Sequence, residues 1–302
     1  MSLVVGVDVG GSGLRCQVVA DGVPGPVQSG AALSIGPAGL DIESLVDSVV
    51  SLVPAGADVL VWSSRGLSLA HPPALMAMIR ERLLPRRIAL CGDAVGAVVG
   101  AVGAVRPGAV VAAGTGTVAF ATDFDHIWHR VDAWGHVLGD RGSSAWVGLR
   151  ALEAALLTYD GVELGGEALL AAATERLGPP DGWPRIVMTR SDAVAVLAGL
   201  APAVTSLAPT DAEAARICAD AGRELARSLA AAASGIPGVC VSRTGGLFAA
   251  PAVRLPFETE AAALGLDVQP PVGTGLDGAV LLAEHLAAGR PLTEHEAYLL
   301  IA

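Results

Sequence analysis

The arrangement of the chain follows from the stretch Leu3-Val-Val-Gly-Val-Asp-Val-Gly-Gly-Ser-Gly-Leu-Arg-Cys-Gln-Val-Val19. Two runs rich in β-branched residues flank the turn Gly10-Gly11-Ser12-Gly13, a pattern that predicts a β-hairpin. Because three of the four turn residues are glycines, the backbone N–H groups can approach an anion closely. Asp8 lies at the carboxyl end of the first strand, where a carboxylate can hold Mg²⁺ directly or through water. The turn is therefore a candidate phosphate site, although an ordinary hairpin would carry the same features.

A second stretch, Ala109-Val-Val-Ala-Ala-Gly-Thr-Gly-Thr-Val-Ala-Phe-Ala121, repeats the pattern with the turn Gly114-Thr115-Gly116-Thr117. Each hairpin precedes alternating strands and helices, which indicates two α/β halves with a duplicated architecture. Two such turns that face each other can clamp one polyphosphate. The duplication therefore favours the phosphate site over the ordinary hairpin.

Composition excludes several classes of function. A length of 302 residues indicates about two domains, and a net charge of −11 argues against nucleic acid or an anionic membrane as a partner. All 19 basic residues are arginines, so the chain lacks the lysine that P-loop, protein-kinase and Schiff-base chemistry require. Any phosphate must therefore be held by backbone amides, hydroxyls, arginines or a metal ion.

The cysteines, the first residues and the apolar runs of the sequence predict a soluble cytoplasmic protein. They leave open whether it is a monomer or a homodimer. The four cysteines are far apart in the sequence, as expected of buried thiols in a reducing compartment. No basic region precedes the first apolar run, so no signal peptide is expected. The longest charge-free run, from Ala193 to Thr210, contains Pro202 and Pro209 and is predicted to be a buried helix and its exit, not a membrane span.

Three further segments carry candidate site residues. Asp93 follows a predicted strand and opens a helix of small residues, where ligand-facing groups collect in open α/β sheets; a helix N-cap would equally account for it. Trp134 and Asp140 lie in a glycine-rich segment, and they suit the apolar face and the hydroxyls of a sugar. Gly245 and Gly246 follow a later strand and would let a flat ring such as adenine lie against the backbone. Each residue alone also has an ordinary structural explanation, such as core packing or a loop.

Taken together, these segments resemble the actin-like ATPase and sugar-kinase superfamily. The two hairpins, the helices predicted over 93–105 and 273–285, and the turn at 243–248 occur in the order of that superfamily. The resemblance implies an α/β protein of two duplicated ribonuclease-H-like domains, at 1–107 and 108–302, with a cleft between them. It also implies helical additions to the second domain and a final helix, predicted from Thr293, that packs back on the first.

Within the superfamily, the segment Trp134-Gly-His-Val-Leu-Gly-Asp140-x-Gly142-Ser143-x-x-Trp146 is similar to a signature of N-acetylglucosamine kinases and the related BadF/BadG/BcrA/BcrD ATPase family. This resemblance implies an enzyme that uses ATP and Mg²⁺ to phosphorylate the 6-hydroxyl of a hexosamine, first of all N-acetylglucosamine. Asp93 matches the catalytic base, Asp140 a ligand of sugar hydroxyls, and Asp8 the carboxylate that handles Mg²⁺ through water. The remaining implied contacts are Ser34, Trp134, Gly139 and Asp93 to the sugar, and Gly10, Gly11, Ser12, Gly13, Arg15, Gly114, Thr115, Gly116, Thr117, Gly245 and Gly246 to ATP.

Three departures from the family pattern leave the identity of the sugar open. Arg141 stands where an acidic residue usually follows Asp140, the early loop at 32–35 has no Asn, and Ser63-Ser64-Arg65-Gly66 replaces a glycine-rich turn. Glucosamine or another sugar is therefore an alternative substrate. Two alternative functions also remain: an ATPase that activates a partner enzyme, which would need cysteines for a shared cluster, and a sugar sensor without catalytic activity.

Overall fold

The computed structural model describes residues 2–10, 13–30, 35–36, 39–67 and 71–302. The strands are β1 Leu3–Gly10, β2 Gly13–Ala20, β3 Val23–Pro24, β4 Gln28–Gly30, β5 Ile35–Gly36, β6 Gly39–Leu40, β7 Val59–Ser64, β8 Arg87–Gly92, β9 Gly108–Ala113, β10 Thr117–Thr122, β11 Trp128–Asp132, β12 Cys240–Thr244, β13 Val268–Gln269 and β14 Leu299–Ile301. The α-helices are α1 Ile42–Val50, α2 Pro72–Leu83, α3 Asp93–Val102, α4 Ser144–Tyr159, α5 Glu167–Leu177, α6 Trp183–Thr189, α7 Ala193–Ala198, α8 Ala201–Leu207, α9 Ala212–Ala233, α10 Pro251–Ala263 and α11 Gly275–Ala287.

The first sheet has the order β14-β8-β7-β1-β2-β3, with β4 also paired to β2. β1 runs antiparallel to β2 and parallel to β7, and β7 runs parallel to β8. Residues 4–9 of β1 are all buried, as expected of a central strand covered on both faces. One face packs against α1 and α2, and the other packs against α3 and α11. The carboxyl ends of β1, β7 and β8 therefore meet at one edge of the sheet.

The second sheet repeats this plan with the order β11-β10-β9-β12-β13. β9, β10 and β11 form an antiparallel meander, and β12 runs parallel to β9. α9 packs on this sheet, and α4 and the neighbouring short helices add a further helical layer. The prediction of two duplicated α/β units is confirmed.

α3 and α11 cross in close contact between the two sheets, because glycines line their crossing. A Cβ atom on Gly100 would lie 1.8 Å from the carbonyl oxygen of Thr274, and one on Gly278 would lie 1.9 Å from the carbonyl oxygen of Gly96. No larger residue fits at either position without a shift of backbone. The hydrophobic core around α3 and α11 contains side chains of both sheets, including Val61 of β7 and Phe120 of β10.

The predicted final helix is wrong, because the end of the chain forms a strand. Leu299–Ile301 pair antiparallel with β8 at the edge of the first sheet, and Leu299 is fully buried. An edge strand leaves backbone N–H and C=O groups unpaired, and β14 satisfies them on β8. The ring of the preceding Tyr298 packs edge-on against Phe120 of β10, with 4.9 Å between ring centroids. The tail therefore contacts both sheets.

Among the described residues, no single helix has both the length and the apolar character to cross a membrane. One pair, Ala193–Leu207 with Ala212–Ala233, passes such a test jointly, but it is bent by 117°. The charge-free run predicted to be one buried helix and its exit forms the two short helices α7 and α8. Their buried residues Leu197 and Val204 belong to the core of the second sheet.

Candidate active site

Asp93 is the first residue of α3 and directly follows the last residue of β8. The N-cap position belongs to Gly92, so the N-cap explanation for Asp93 is not what the structure shows. Burial raises the pKa of the Asp93 carboxyl above its usual value, and the Arg65 guanidinium opposes this rise. A carboxylate with a raised pKa is a better proton acceptor. Asp93 is therefore suited to act as a general base.

Asp8 lies near the end of β1, level with Ser63 of β7, and is only 6% exposed. Its Oδ2 atom accepts a hydrogen bond of 2.7 Å from Nη2 of Arg15, the residue opposite it in the hairpin. Burial is the largest effect and raises the pKa of Asp8, whereas Arg15 lowers it. Its other oxygen faces the start of α11, where a Cβ atom on Gly275 would lie 3.2 Å from Oδ1.

The surroundings of Asp8 fit Mg²⁺ only together with a phosphate ligand. Within the described part of the chain, no group of three or more His, Cys, Asp or Glu side chains could hold a metal ion. Mg²⁺ is usually bound in proteins by one or two carboxylates, waters and the phosphates of the substrate. A single buried carboxylate beside a glycine turn has this chemistry.

Asp140 reaches the second glycine turn from the loop between β11 and α4. It is 5% exposed and adopts a left-handed backbone conformation with φ of 52°. Its Oδ1 atom accepts a hydrogen bond of 3.3 Å from the Gly135 amide, and its Oδ2 atom lies where Gly116 has no side chain. A Cβ atom on Gly116 would be 2.6 Å from that oxygen. Asp140 and the Gly114–Thr117 turn therefore form one unit.

Asp132 holds Asp140 in this conformation, and the sequence analysis did not identify it. Its Oδ1 atom accepts a hydrogen bond of 2.7 Å from the Asp140 amide, and its Oδ2 atom accepts one of 2.8 Å from the Arg141 amide. Burial raises the pKa of Asp140, the Gly135 amide lowers it, and the Asp132 carboxylate raises it further. The signal that would have found Asp132 is an acidic residue in the same glycine-rich segment, eight positions before Asp140.

The other predicted sugar contacts lie close to Asp140 or outside the described residues. Trp134 is 63% exposed, and the Arg130 guanidinium stacks on its ring at 4.3 Å, so it is not a core residue. Gly139 is needed where it stands, because a Cβ atom there would lie 2.2 Å from Oδ1 of Asp132. Ser34 lies outside the described residues, as do Gly11 and Ser12 of the first turn. Gly10 and Gly13 are paired across that turn.

A cavity of about 520 Å³ lies between the turn at 114–117 and the turn at 245–246. Its walls come from Gly114 and Thr115, from Gly246 and the residues after it, and from Ser144 at the start of α4. The size is typical of small-ligand sites. Gly245 has φ of 106°, and a Cβ atom there would lie 2.2 Å from the Ala113 carbonyl oxygen, so only glycine fits. The cavity therefore brings the predicted ATP-contacting turns together.

α8 forms a further wall of this cavity through Ala201, Pro202 and Thr205, which the sequence analysis did not assign to the site. These residues come from the charge-free run that was interpreted only as a buried segment. No motif marks them, since they reach the cavity through the packing of α8 against α4 and α9.

The buried hydroxyls without a hydrogen-bond partner among the described residues include Ser64 Oγ at the end of β7 and Thr117 Oγ1 at the start of β10. Buried polar groups are usually satisfied, so an unsatisfied one next to a cavity often indicates a polar ligand. Arg65 follows Ser64, and its charge acts on both Asp93 and Asp140. One positive charge therefore acts on a carboxyl from each of the two units.

Several known proteins are similar to this chain. Over 83 residues, 28% of the chain, it is 34% identical to the N-acetylmuramic acid/N-acetylglucosamine kinase of Clostridium acetobutylicum, and the match spans 27% of that kinase. A structure from Chromobacterium violaceum classed as an N-acetylglucosamine kinase has a TM-score of 0.75 at 27% identity, over 94% of this chain and 99% of that one. A ROK family glucokinase from Streptomyces griseus, solved with glucose and AMPPNP, has a TM-score of 0.58 at 19% identity, over 94% and 100% of the two chains, and so shares the fold.

The family assignment depends on a match over most of the sequence. The model of the BadF/BadG/BcrA/BcrD ATPase family matches residues 5–283 of the 302. The matched range contains both glycine hairpins, the turn at 245–246, Asp93 and Asp140. The chain belongs to the BadF/BadG/BcrA/BcrD ATPase family.

Proposed function

We propose that this protein is an ATP-dependent kinase that phosphorylates the 6-hydroxyl of a hexosamine, with N-acetylglucosamine as the first candidate. The observation that carries the proposal is that each of the two units supplies one carboxyl with a pKa raised by burial, Asp93 after β8 and Asp140 after β11, and that the charge of Arg65 lowers the pKa of both. A cavity bounded by two glycine turns includes Gly114 and Thr115 of the turn that Asp140 approaches at Gly116. The two domains, at 1–107 and 108–302, would close on the substrates between them.

In this proposal Asp93 accepts the proton of the sugar hydroxyl as the hydroxyl oxygen attacks the γ-phosphorus of ATP and the bond to the leaving ADP oxygen breaks. Asp140 orients the sugar by accepting hydrogen bonds from its other hydroxyls. The amides of the turns at 10–13 and 114–117 hold the phosphates. Asp8 would hold Mg²⁺ through water, and that ion would supply neutralisation of the phosphate charge.

The choice of a hexosamine is supported by the similar proteins. One kinase is named for N-acetylmuramic acid and N-acetylglucosamine, and a structure of the same fold is classed as an N-acetylglucosamine kinase. The signature from Trp134 to Trp146 supports the same substrate class. Adenosine would occupy the cavity between Gly114 and Gly246, with its base near α8.

The test is release of ADP by the full chain with Mg-ATP and a panel of N-acetylglucosamine, glucosamine, N-acetylmannosamine, glucose and buffer alone. Release that depends on a hexosamine supports the proposal and identifies the substrate. Release at the same rate without sugar would instead support an ATPase that activates a partner. Binding of a sugar without any release would support a sensor.

A further inference from the structure

Arg65 is a charged residue of the cleft that the proposed reaction does not use. It follows β7, and Ser64 of β7 pairs in register with Gly92 of β8. Arg65 and Asp93 are therefore the first residues after two adjacent parallel strands. The Arg65 amide donates a hydrogen bond of 3.0 Å to the Val9 carbonyl oxygen, which holds its backbone against β1.

The Arg65 side chain is exposed, and its guanidinium makes no hydrogen bond or ion pair with any residue that the structure describes. Arg15, at the neighbouring strand end, contrasts with it because Arg15 is paired with Asp8 at 2.7 Å. Arg65 nevertheless lies close enough to Asp93 and Asp140 to act on both carboxyls electrostatically. An unpaired cation therefore lies at the strand end next to the carboxyl that would act as the base.

A neutral hexosamine does not require such a group. Its hydroxyls can donate to the two carboxylates and its amide can bond to backbone groups, whereas a guanidinium has five N–H donors arranged for a carboxylate or a phosphate. Such pairs are often bidentate, which adds both affinity and geometric selectivity.

We propose that Arg65 binds an anionic substituent of the sugar, so that the preferred substrate of this site is a hexosamine that carries a carboxylate or a phosphate. The inference rests on the proposed kinase function and narrows its substrate class. It also assigns a role to the sequence Ser63-Ser64-Arg65-Gly66, which departs from the glycine-rich turn of the family pattern.

Arg141 is the other arginine that the sequence analysis raised in connection with substrate choice, and the structure gives it a different environment. Its Nε atom lies 3.9 Å from Oε2 of Glu224 on α9, and its side chain is 59% exposed. Its charge is not among the causes that shift the pKa of Asp140, whereas that of Arg65 is. Arg141 is therefore the matched control for Arg65.

The experiment measures kcat and KM near pH 8 for N-acetylglucosamine, N-acetylmuramic acid and N-acetylglucosamine 1-phosphate with the wild-type chain, R65Q, R65K and R141Q. We expect the wild type to prefer one anionic sugar, and which one it prefers distinguishes carboxylate from phosphate. In R65Q, kcat/KM for that sugar should fall about 10- to 100-fold more than the value for N-acetylglucosamine, mainly through KM. R65K should have an intermediate kcat/KM, because it keeps the positive charge but lacks the planar guanidinium, and R141Q should match the wild type.

Three results would overturn the inference: a wild type that prefers the neutral sugar, an R65Q variant that loses kcat equally for all three sugars, or one that changes nothing. An equal loss of kcat would indicate contact with the transferred phosphoryl group instead.

If no sugar supports ADP release, the kinase proposal fails, and calorimetric binding of the same three sugars then decides whether Arg65 binds an anionic sugar. Tighter binding of an anionic sugar that R65Q loses would still support its role, and equal or absent binding would reject it. Thermal unfolding of each variant checks its fold, and R65K replaces R65Q if R65Q is unfolded.

Discussion

Asp93 and Asp140 reach the same cleft in different ways. Asp93 begins a regular helix directly after a buried strand, so its position depends on the geometry of one strand-to-helix junction. Asp140 lies in an irregular loop with a left-handed backbone, and Asp132 and the missing side chain of Gly116 hold it in place. Burial raises the pKa of both carboxyls, and Arg65 opposes the rise in both. Asp93 is therefore positioned by local structure, whereas Asp140 is positioned by contacts with residues outside its own turn.

Replacement of the locally positioned carboxyl should have the largest effect. In D93N the side chain is nearly isosteric but cannot accept a proton, so kcat should fall about 10²- to 10⁴-fold. ATP binding should be unchanged, since no ATP contact involves Asp93 in the proposal. Steady-state ADP release and calorimetry with AMPPNP measure the two quantities. A variant that keeps more than about a tenth of wild-type kcat would rule out Asp93 as the base.

The second largest effect should come from G116A, which disturbs the carboxyl held by tertiary contacts. The added Cβ atom would lie 2.6 Å from Oδ2 of Asp140, so the carboxyl must move. We expect the KM for the sugar to rise about tenfold or more, as for the loss of a hydrogen bond to a charged group. G114A is the matched variant, because no atom lies within 4 Å of a Cβ atom there, and its effect on the sugar KM should be smaller. Equal effects of the two substitutions would argue against the unit formed by Gly116 and Asp140.

D132N should have a smaller effect of the same kind. The carboxylate of Asp132 accepts hydrogen bonds from the amides of Asp140 and Arg141, whereas an Asn side chain has only one acceptor oxygen. We expect a loss of about 1–3 kcal/mol in stability and a moderate rise in the sugar KM, with the KM for ATP less affected. Thermal unfolding and steady-state kinetics would measure these changes. An unchanged melting temperature together with an unchanged sugar KM would show that the loop does not need Asp132.

The pH dependence of kcat should report the effect of Arg65 on the pKa of Asp93. Asp93 must be ionised to accept a proton, so activity should rise with pH through its pKa, which burial raises and Arg65 lowers. Removal of the Arg65 charge in R65Q should raise the pKa of Asp93 further. The acidic limb of the profile of kcat against pH should then move to higher pH. R141Q should leave the limb in place, because Arg141 is not among the groups that act on Asp93. A limb that moves to lower pH in R65Q would contradict the electrostatic role of Arg65.

The smallest effect should be that of R141Q on stability and turnover. The pair of Arg141 and Glu224 is long at 3.9 Å and largely exposed. Exposed ion pairs of this kind contribute about 0–1 kcal/mol, so the melting temperature should change little. kcat and KM for the preferred sugar should also stay close to those of the wild type. If R141Q changed the order of kcat/KM among the hexosamines, Arg141 would have to contact the sugar.

Local sequence patterns predicted much of the fold and part of the site. Both glycine hairpins form as expected, and Asp93 follows its strand as expected. The N-cap of α4 also follows from residue type, since the Oγ atom of Ser143 accepts a hydrogen bond from the Trp146 amide. Turns, strand ends and helix caps involve residues close in sequence, and their geometry follows from residue type. These are the features for which a sequence pattern carries enough information.

The features that the sequence did not reveal depend on contacts between distant segments or on irregular backbone. The tail was predicted to be a helix but forms β14, because the free edge of β8 lies beside it. α8 lines the cavity only because it packs against α4 and α9. The hold of Asp132 on Asp140 depends on an irregular loop that no periodic pattern describes.

Taken alone, the sequence determined the duplicated α/β plan, the glycine turns and the candidate carboxyls, because alternation, glycine spacing and strand ends are local properties. Only the tertiary structure decided which arginine faces the cleft. Arg65 and Arg141 are equally prominent in the sequence as departures beside the sugar site. The parallel register of β7 and β8 brings Arg65 next to Asp93, whereas α9 places Glu224 beside Arg141. The environment of each charge depends on these long-range contacts, which the order of residues in the chain does not specify locally.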